Sequence, residues 1–163
     1  MAISDYLRQL RTKVGHDLLH VPAVTGIVIN EAGEVLLHRS RDDGNWYLIG
    51  GAMDPGEEPA EAVVREVREE TGLIVVPERI VDVHSSPLVV YPNQDRVIYV
   101  GVAFRCRPVG GELRVADDES LEVKYFPADK LPTTLPEHHR RCVKCTFEAR
   151  EAAVFVPPRG NLQ

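Results

Sequence analysis

The chain has 163 residues, of which 44% are hydrophobic and 27% are charged, and this composition is typical of a globular protein with one domain. Aspartate and glutamate number 25 against 19 lysine and arginine residues, so the net charge is −6 at pH 7. That balance argues against a large basic surface for duplex nucleic acid or for an anionic membrane, and we expect neither as a partner.

The N-terminal residues are predicted to form a short amphipathic helix. Ser4 is a suitable N-cap, Gly15 ends the pattern, and between them apolar side chains recur at helical spacing: Tyr6, Leu7, Leu10 and Val14. We expect this apolar stripe to pack on the chain's own sheet or, alternatively, to form a dimer contact.

Extended segments rich in β-branched residues follow, separated by turns. The predicted strands are residues 21–30, 35–38, 46–49, 73–83, 96–106 and 121–126. The first two flank a turn at 31–34 and are expected to form a hairpin. Residues 85–94 are predicted to be a loop, and residues 108–111 a turn.

Two further helices are predicted. Residues 59–71 lack glycine, begin with a proline where a first helical turn tolerates one, and stop at Gly72. Residues 136–153 are expected to form a C-terminal helix. The alternation of strands and helices favours a mixed α/β sandwich. We expect a helix over residues 1–16, a single domain over 17–155 and a loose tail over 156–163.

Carboxylates cluster on the helix predicted over residues 59–71. Glu66, Glu69 and Glu70 lie at i, i+3 and i+4 on one face, and Glu57 comes just before the helix. Neighbouring like charges destabilise a helix by roughly a few tenths of a kcal/mol per pair, so the cluster calls for a cation. Hard oxygen ligands of this kind suit Mg²⁺ or Mn²⁺.

Three neighbours of the carboxylates have expected supporting roles. Arg65 is four residues before Glu69 and could reach Glu57 as a bidentate partner, which would fix the orientation of these carboxylates. A main-chain carbonyl near Gly51 or Ala52 could complete a metal shell, because glycines let the backbone approach closely.

Residues 51–73 resemble the signature of the Nudix hydrolases. The match covers nine spaced positions: Gly51, Glu57, Arg65, Glu66, Val67, Glu69, Glu70, Gly72 and Leu73. One departure is Ile49, since family members often carry proline just before the paired glycines. The resemblance implies the Nudix-type α/β/α sandwich, with a mixed β-sheet between helices.

The resemblance also implies a function and a cofactor. It implies a pyrophosphohydrolase that cleaves a nucleoside diphosphate linked to another moiety with Mg²⁺ or Mn²⁺. Glu66, Glu69 and Glu70 resemble the metal ligands, and Arg65 and Glu57 resemble their orienting partners. ADP-ribose or a nucleotide sugar is the favoured substrate. Dinucleoside polyphosphates, non-standard nucleoside triphosphates and a non-catalytic nucleotide sensor are the alternatives. A homodimer is expected.

The general base stays open at this stage. The candidates are Glu66 and, in the acidic run 117–122, Glu119 or Glu122. Glu119 or Glu122 could instead be a supplementary metal ligand. The alternative for the whole run is a solvated turn without a role in the site. Residues 57–70 hold six glutamates and two arginines, and residues 117–122 hold four acids and no base. The net acidity of the chain is therefore concentrated in two short segments, where a phosphate-rich molecule would dock once metal is bound.

Candidate substrate contacts lie outside the motif. Arg39 and Arg41 precede the paired glycines and could bind phosphate, and Trp46 could stack on a base or pack in the core. Tyr91 resembles the loop tyrosine of some dinucleoside polyphosphate hydrolases. His138 belongs to a partly basic group that either reaches substrate phosphate or is a solvated helix start.

The cysteines are Cys106, Cys142 and Cys145, an odd number that favours a reduced, cytoplasmic location over a disulfide framework. Neither a signal peptide nor an apolar run of about 18 residues is evident. Cys142 and Cys145 form a CxxC motif that shares a helical face with His138, so a zinc-dependent interaction module is one interpretation. Only half a zinc site is present, and packing of small apolar thiols is the expected role.

Overall fold

The computed structural model describes residues 4–148 and 152–155, and this part of the chain forms three helices and nine strands. The helices are α1 (Asp5–Val14), α2 (Pro59–Thr71) and α3 (Glu137–Phe147). The strands are β1 (Leu19–Val28), β2 (Glu34–Ser40), β3 (Trp46–Tyr47), β4 (Ile49–Ala52), β5 (Leu73–Ser85), β6 (Val89–Val90), β7 (Arg96–Gly111), β8 (Ser120–Pro127) and β9 (Val154–Phe155).

Two sheets organise these strands. The larger sheet has the order β4-β1-β7-β5-β9, with β6 paired to β7. It is mixed, because β1 runs parallel to β7 and β5 parallel to β9, whereas β4 runs antiparallel to β1 and β5 antiparallel to β7. The smaller sheet, β3-β2-β8, is antiparallel.

Helices cover both faces of the larger sheet. Val24 and Val28 of β1 pack in one core cluster with the apolar residues of α2. Ile27, on the opposite face of the same strand, belongs to a second cluster that includes Cys142 and Val143 of α3. The expected α/β/α sandwich with a mixed sheet between helices is therefore confirmed.

Helix α1 begins and ends where its sequence indicates. Ser4 accepts a hydrogen bond from the Leu7 amide at 3.3 Å, and Gly15 at the C-terminus has a φ of 59°. The guanidinium of Arg11 donates to the carbonyls of Gly15, Asp17 and Arg96, at 3.1, 2.6 and 2.9 Å. This arginine ties α1 to the first residue of β7.

The predicted hairpin between residues 21–30 and 35–38 is wrong in its pairing. β1 and β2 belong to different sheets, and the bridge found near them in the described residues joins Ile29, just after β1, to Val35 of β2. Both edges of β1 are occupied, by β4 and by β7, so no edge is free for β2. The strand expected at 46–49 likewise divides, because β3 pairs with β2 whereas β4 pairs with β1.

Further boundaries differ from the sequence-based expectation, and the predicted loop over 85–94 contains the short strand β6. The predicted turn at 108–111 is a continuation of β7, whose Pro108 pairs with Val75 next to a register shift in β5; such irregularities tolerate the missing proline N–H. Helix α3 ends at Phe147 because the backbone of Glu148 is extended, with a ψ of 136°, so the helix is shorter than 136–153. The tail expected over 156–163 lies outside the described residues.

Candidate active site

Helix α2 presents the carboxylates on a rigid element with well-formed ends. The side chains of Glu58 and Glu61 form a reciprocal capping box at the N-terminus, and Gly72 closes the C-terminus in the left-handed conformation with a φ of 71°. Val63 and Val67 are fully buried against the sheet. The acidic side chains therefore lie on another face of α2, where they enter a cleft beside the loop that precedes the helix.

Arg65 holds the acidic groups together through one guanidinium. It binds Glu57 in a bidentate manner, with Nε to Oε1 at 2.8 Å and one terminal nitrogen to Oε2 at 2.9 Å. The other terminal nitrogen donates to Glu66 at 2.8 Å and to Glu69 at 3.2 Å. These hydrogen bonds lower the pKa of Glu57, and they keep three carboxylates at fixed positions.

The carbonyl of Ala52 also accepts from Arg65, at 3.2 Å. The oxygen that the sequence suggested as a metal ligand is thus held in place by the arginine.

Glu66 reaches over the backbone at Gly51. A Cβ at this glycine would overlap the carboxylate of Glu66, so only glycine leaves room for it in this position. Burial is the main cause that raises the pKa of Glu66, and the charges of Glu69 and Glu119 act in the same direction, against the effect of Arg65.

Gly51→Ala is expected to displace the Glu66 carboxylate while leaving the fold intact, because the clash involves the end of a flexible side chain. We expect kcat to fall about 10- to 100-fold and the free energy of unfolding to change by less than about 1 kcal/mol. Steady-state kinetics and thermal unfolding measure the two effects. Gly110→Ala, where the added Cβ would make only ordinary contacts, is the matched control. Wild-type kcat in Gly51→Ala would contradict the role of this close approach.

Glu70 is buried and has one oxygen without a partner. Its Oε1 accepts from the Gly50 amide at 3.2 Å, whereas Oε2 finds no hydrogen-bond donor among the described residues. Burial first, and the neighbouring charge of Glu66 second, raise the pKa of Glu70 well above its ordinary value. The carboxylate is therefore in an environment that lacks a cation.

His38 does not supply that cation at neutral pH. Its Nδ1 lies 3.5 Å from Glu70 Oε2, and burial lowers the pKa of His38 to about 4. The imidazole is consequently neutral at pH 7, and its Nδ1 also lies 3.1 Å from the Ser120 hydroxyl. A divalent cation would satisfy the free oxygen of Glu70, so the residues present fit a hard metal ion.

A cavity of about 240 Å³, which we call the carboxylate cavity, is formed where these groups meet the loop before β8. Its lining consists of Ser4, Gly50, Ala52, Asp54, Arg65, Glu66, Glu69, Glu70, Asp117 and Glu119. The structure thus brings the three predicted metal ligands together with one candidate from the acidic run, Glu119.

The acidic run is anchored by hydrogen bonds to its backbone. Asp117 Oδ1 accepts from the amides of Glu119 and Ser120, at 3.2 and 2.9 Å. The Arg41 guanidinium donates to the carbonyls of Asp118 and Ser120, at 2.8 and 3.2 Å, and so is engaged with protein rather than poised for phosphate. Asp117 is a cavity residue that the sequence analysis did not single out, although it stands in the same acidic run.

The other predicted residues occupy different places. Glu122 is exposed on β8 opposite Arg39 of β2, and Arg39 donates to the Gly44 carbonyl at 3.0 Å. Trp46 packs edge to face on Phe126, with 4.8 Å between ring centroids, at the margin of the second core cluster. The structure therefore supports the core-packing interpretation of Trp46. His138 stands on α3, with its ring 6.0 Å from that of His84.

Tyr91 lines a second cavity, of about 250 Å³, which we call the tyrosine cavity. Its lining consists of Leu7, Arg11, Leu19, Val21, Asp42, Ala52, Tyr91, Pro92, Asn93, Asp95, Val97 and Tyr99. The hydroxyls of Tyr91 and Tyr99 are 2.7 Å apart. The tyrosine cavity adjoins the carboxylate cavity, since Ala52 lines both, and Ser4, the N-cap of α1, lines one while Leu7 of α1 lines the other. Alternation along β7 could have pointed to Tyr99, which shares a face with Val97.

An open groove borders the carboxylates on the other side, along the outer face of α2. Three of its lining residues, Arg65, Glu69 and Asp117, also line the carboxylate cavity. The groove further contains Glu57 and two basic side chains, Arg68 and Arg114. The carboxylate cavity is thus flanked by an aromatic and apolar cavity and by a partly basic groove.

The described residues contain no helix that combines the length and the apolar character needed to cross a membrane. Cys106, Cys142 and Cys145 are free and buried.

The sequence and the fold of this chain are similar to those of known proteins. The family model described as NUDIX domain matches residues 19–144. The ADP-ribose pyrophosphatase of Methanocaldococcus jannaschii is 34% identical over 120 residues, which cover 72% of this chain and 68% of that protein. The human 8-oxo-dGDP phosphatase is 38% identical over 121 residues, which cover 71% of this chain but only 35% of the human protein.

Among solved structures, the MutT protein from Methanosarcina mazei superposes with a TM-score of 0.65 at 29% identity, and the match covers 78% of this chain and 93% of that chain. The domain match spans most of the chain and includes the whole segment that carries Glu57, Arg65 and the three clustered glutamates. The chain therefore belongs to the Nudix hydrolase family.

Proposed function

We propose that this protein is a Mg²⁺-dependent pyrophosphohydrolase that cleaves a nucleoside diphosphate linked to another moiety, with ADP-ribose or a related nucleotide sugar as substrate. The observation that carries this proposal is the buried Glu70 oxygen without a partner, in a cavity that also holds Glu66 and Glu69. Three converging carboxylates with an unsatisfied oxygen form a site for a hard divalent cation, Mg²⁺ or Mn²⁺.

Glu66, Glu69 and Glu70 would hold the cation, and Arg65 would keep their oxygens in place. When bound, the cation neutralises phosphate oxygens and lowers the pKa of water. We propose that Glu119 accepts the proton of the attacking water, because Glu66 is engaged with Arg65 and Glu122 is exposed on β8. The backbone of Glu119 is hydrogen-bonded on both sides, because its amide donates to Asp117 Oδ1 and its carbonyl accepts from the Arg41 amide. These hydrogen bonds hold Glu119 at the edge of the cavity.

The two flanking spaces favour a substrate with groups on both sides of the pyrophosphate. The base and its ribose would occupy the tyrosine cavity, and the moiety beyond the second phosphate would extend into the groove with Arg68 and Arg114. A nucleoside triphosphate would leave one of these spaces unused. The name of the methanogen relative, ADP-ribose pyrophosphatase, supports the same substrate class.

A substrate panel in ¹⁸O-labelled water tests this proposal. With Mg²⁺, ADP-ribose and water are expected to give AMP and ribose 5-phosphate, at a kcat/KM at least about tenfold above that for 8-oxo-dGDP, a nucleoside triphosphate or a dinucleoside polyphosphate. Labelled oxygen in one of the two products identifies the phosphorus attacked. Preference for 8-oxo-dGDP would contradict the substrate assignment, and binding without turnover of any compound would indicate a nucleotide sensor.

Tyr91→Ala is expected to raise KM about 10- to 30-fold with little change in kcat, because a base stacked on an aromatic ring gains about 1–3 kcal/mol. Steady-state kinetics with ADP-ribose measure this split between KM and kcat. Phe147→Ala is the control, since Phe147 ends α3 outside the tyrosine cavity and is 46% exposed. An unchanged KM in Tyr91→Ala would place the base elsewhere.

We also propose that the enzyme is a cytoplasmic homodimer, in which the outer face of α1 with Tyr6 meets a second copy. The three free cysteines are compatible with a reducing compartment. Sedimentation equilibrium is expected to give twice the chain mass of 18.2 kDa. A mass of one chain at micromolar concentration would refute the dimer.

A further inference from the structure

A cluster of potential metal ligands lies away from the carboxylate cavity, between β5 and α3. Asp82 and His84 are two residues apart on β5, so they share a face of the strand, and Cys142 approaches them from α3. One ligand atom from each lies within 4.8 Å of the other two. The side chains are enclosed, with Asp82 fully buried and His84 only 9% exposed.

We propose that Asp82, His84 and Cys142 form a zinc site that clamps α3 onto the sheet. The proposal goes beyond the hydrolase function and does not depend on it. A carboxylate, an imidazole and a thiol make a mixed, partly soft ligand set, which suits Zn²⁺ rather than Mg²⁺.

The distances within the cluster are close to those around a tetrahedral zinc ion. Zinc bonds of about 2.3 Å to sulfur and about 2.1 Å to oxygen or nitrogen place sulfur and oxygen ligands about 3.6 Å apart and nitrogen and oxygen ligands about 3.4 Å apart. Cys142 Sγ is 3.6 Å from Asp82 Oδ2, and His84 Nδ1 is 2.9 Å from the same oxygen. The ligands therefore need only small side-chain adjustments.

Unsatisfied polar atoms give a second, independent indication. Asp82 Oδ1 is buried without a hydrogen-bond partner among the described residues, and His84 Nδ1, although 2.9 Å from Asp82 Oδ2, is not oriented to form a hydrogen bond with it. Each such atom costs about 1–3 kcal/mol when left unpaired in the interior. A cation bound to His84 Nδ1 and to both oxygens of the Asp82 carboxylate would relieve this cost for both atoms at once, as Glu70 would be relieved in the carboxylate cavity.

The charges balance when zinc is bound. The Cys142 thiol releases its proton to solvent, so the thiolate and the Asp82 carboxylate together neutralise Zn²⁺. Without zinc, Arg141 supplies the counter-charge and donates to Asp82 Oδ2 at 2.5 Å. The side chain of Arg141 is 35% exposed, so it can move into water when the cation enters, and water takes the fourth coordination position.

The CxxC neighbour provides a matched control. Cys145 is also buried on α3, three residues after Cys142, but it lies outside the group of converging ligand atoms found in the described residues. The proposed site thus uses one cysteine of the motif and draws its other ligands from the sheet, not from the motif's second cysteine.

Cobalt titration of the full chain, purified and then stripped of metal with a chelator, tests the site. We expect one equivalent of Co²⁺ to give a thiolate-to-cobalt charge-transfer band and intense tetrahedral visible bands, both abolished by Zn²⁺. Cys145→Ser should retain the charge-transfer band, and Cys142→Ser should lose it. Arg141→Gln, which removes the competing cation, should bind Co²⁺ at least about tenfold more tightly than the wild type.

Three results would overturn the proposal: no charge-transfer band in the wild type, a band that persists in Cys142→Ser, or a band that is lost in Cys145→Ser. If Cys142→Ser does not fold by circular dichroism, His84→Gln takes its place and should weaken Co²⁺ binding at least about tenfold. Co²⁺ held only by the carboxylates of α2 gives no thiolate band, so the spectrum separates the two sites whether or not the protein hydrolyses nucleotides.

Discussion

Glu70→Gln is expected to lower kcat about 1000-fold and to leave the fold intact. Glutamine has nearly the shape of glutamate, and its amide can keep an oxygen facing the Gly50 N–H, but it removes a charged ligand at the most buried point of the carboxylate cavity. A metal ion contributes several kcal/mol to transition-state stabilisation, and a loss of about 4 kcal/mol corresponds to about three powers of ten in rate.

Turnover of ADP-ribose over a range of Mg²⁺ concentrations measures this effect. Glu122→Gln is the matched control, because Glu122 belongs to an acidic segment of the same protein but is exposed on β8. A kcat of Glu70→Gln near that of the wild type at saturating Mg²⁺ would refute the assignment of Glu70 as a metal ligand.

The same variant has a distinct effect on stability in the absence of metal. Because the pKa of Glu70 is raised on folding, the unfolded chain releases this proton at lower pH than the folded chain does. Stability is therefore lost as pH rises from the unfolded pKa towards the folded pKa. In chelator, Glu70→Gln should have a higher Tm than the wild type near about pH 8 and a similar Tm near about pH 4. Equal Tm values at both pH values would show that Glu70 has no destabilising charge.

Arg65→Lys is the second substitution with a large expected effect. Lysine keeps the charge but has no planar fork, so it cannot hold Glu57 in a bidentate pair while also donating to Glu66 and to the Ala52 carbonyl. We expect kcat to fall about 100-fold because the carboxylate oxygens that we propose bind the metal lose their positions. The free energy of unfolding should fall by about 1–2 kcal/mol, a value reduced for the 27% exposure of the arginine side chain.

Kinetics and chemical denaturation measure these two effects. Arg105→Lys is the control, since Arg105 pairs with Glu78 at 3.0 Å on the surface of the larger sheet, away from the carboxylate cavity, and is more exposed than Arg65, at 38%. If Arg65→Lys retained wild-type kcat, Arg65 would be only one of several cations balancing the cluster and would not be a positioning residue.

Helix α2 is the element that the sequence predicted most accurately, and the reason is local chemistry. Its observed bounds, Pro59–Thr71, equal the predicted ones, because a proline at the first position and a left-handed Gly72 define the two ends within a few residues. The alignment of Glu66, Glu69 and Glu70 follows from the same helical period.

Strand partners were not predictable in the same way. Val24 of β1 pairs with Val102 of β7, far along the chain, whereas the sequence suggested the nearby residues 35–38 as its partner. The alternating pattern of a strand shows which side chains lie on each of its faces, but not which other strand pairs with its edges. The tyrosine cavity escaped prediction for the same reason, because α1, β1 and β7 build it jointly.

The sequence by itself determined the identity and spacing of the clustered carboxylates, which we propose bind metal, and the arginine that accompanies them. Tertiary structure alone decided that Glu119 lines the cavity while Glu122 does not, that Arg41 anchors the acidic run, and that Cys142 meets Asp82 and His84 rather than Cys145. The physical reason is the distance along the chain over which each interaction acts. Hydrogen bonds within a helix and at its caps join residues that are close in sequence, whereas burial and desolvation depend on which distant segments pack together.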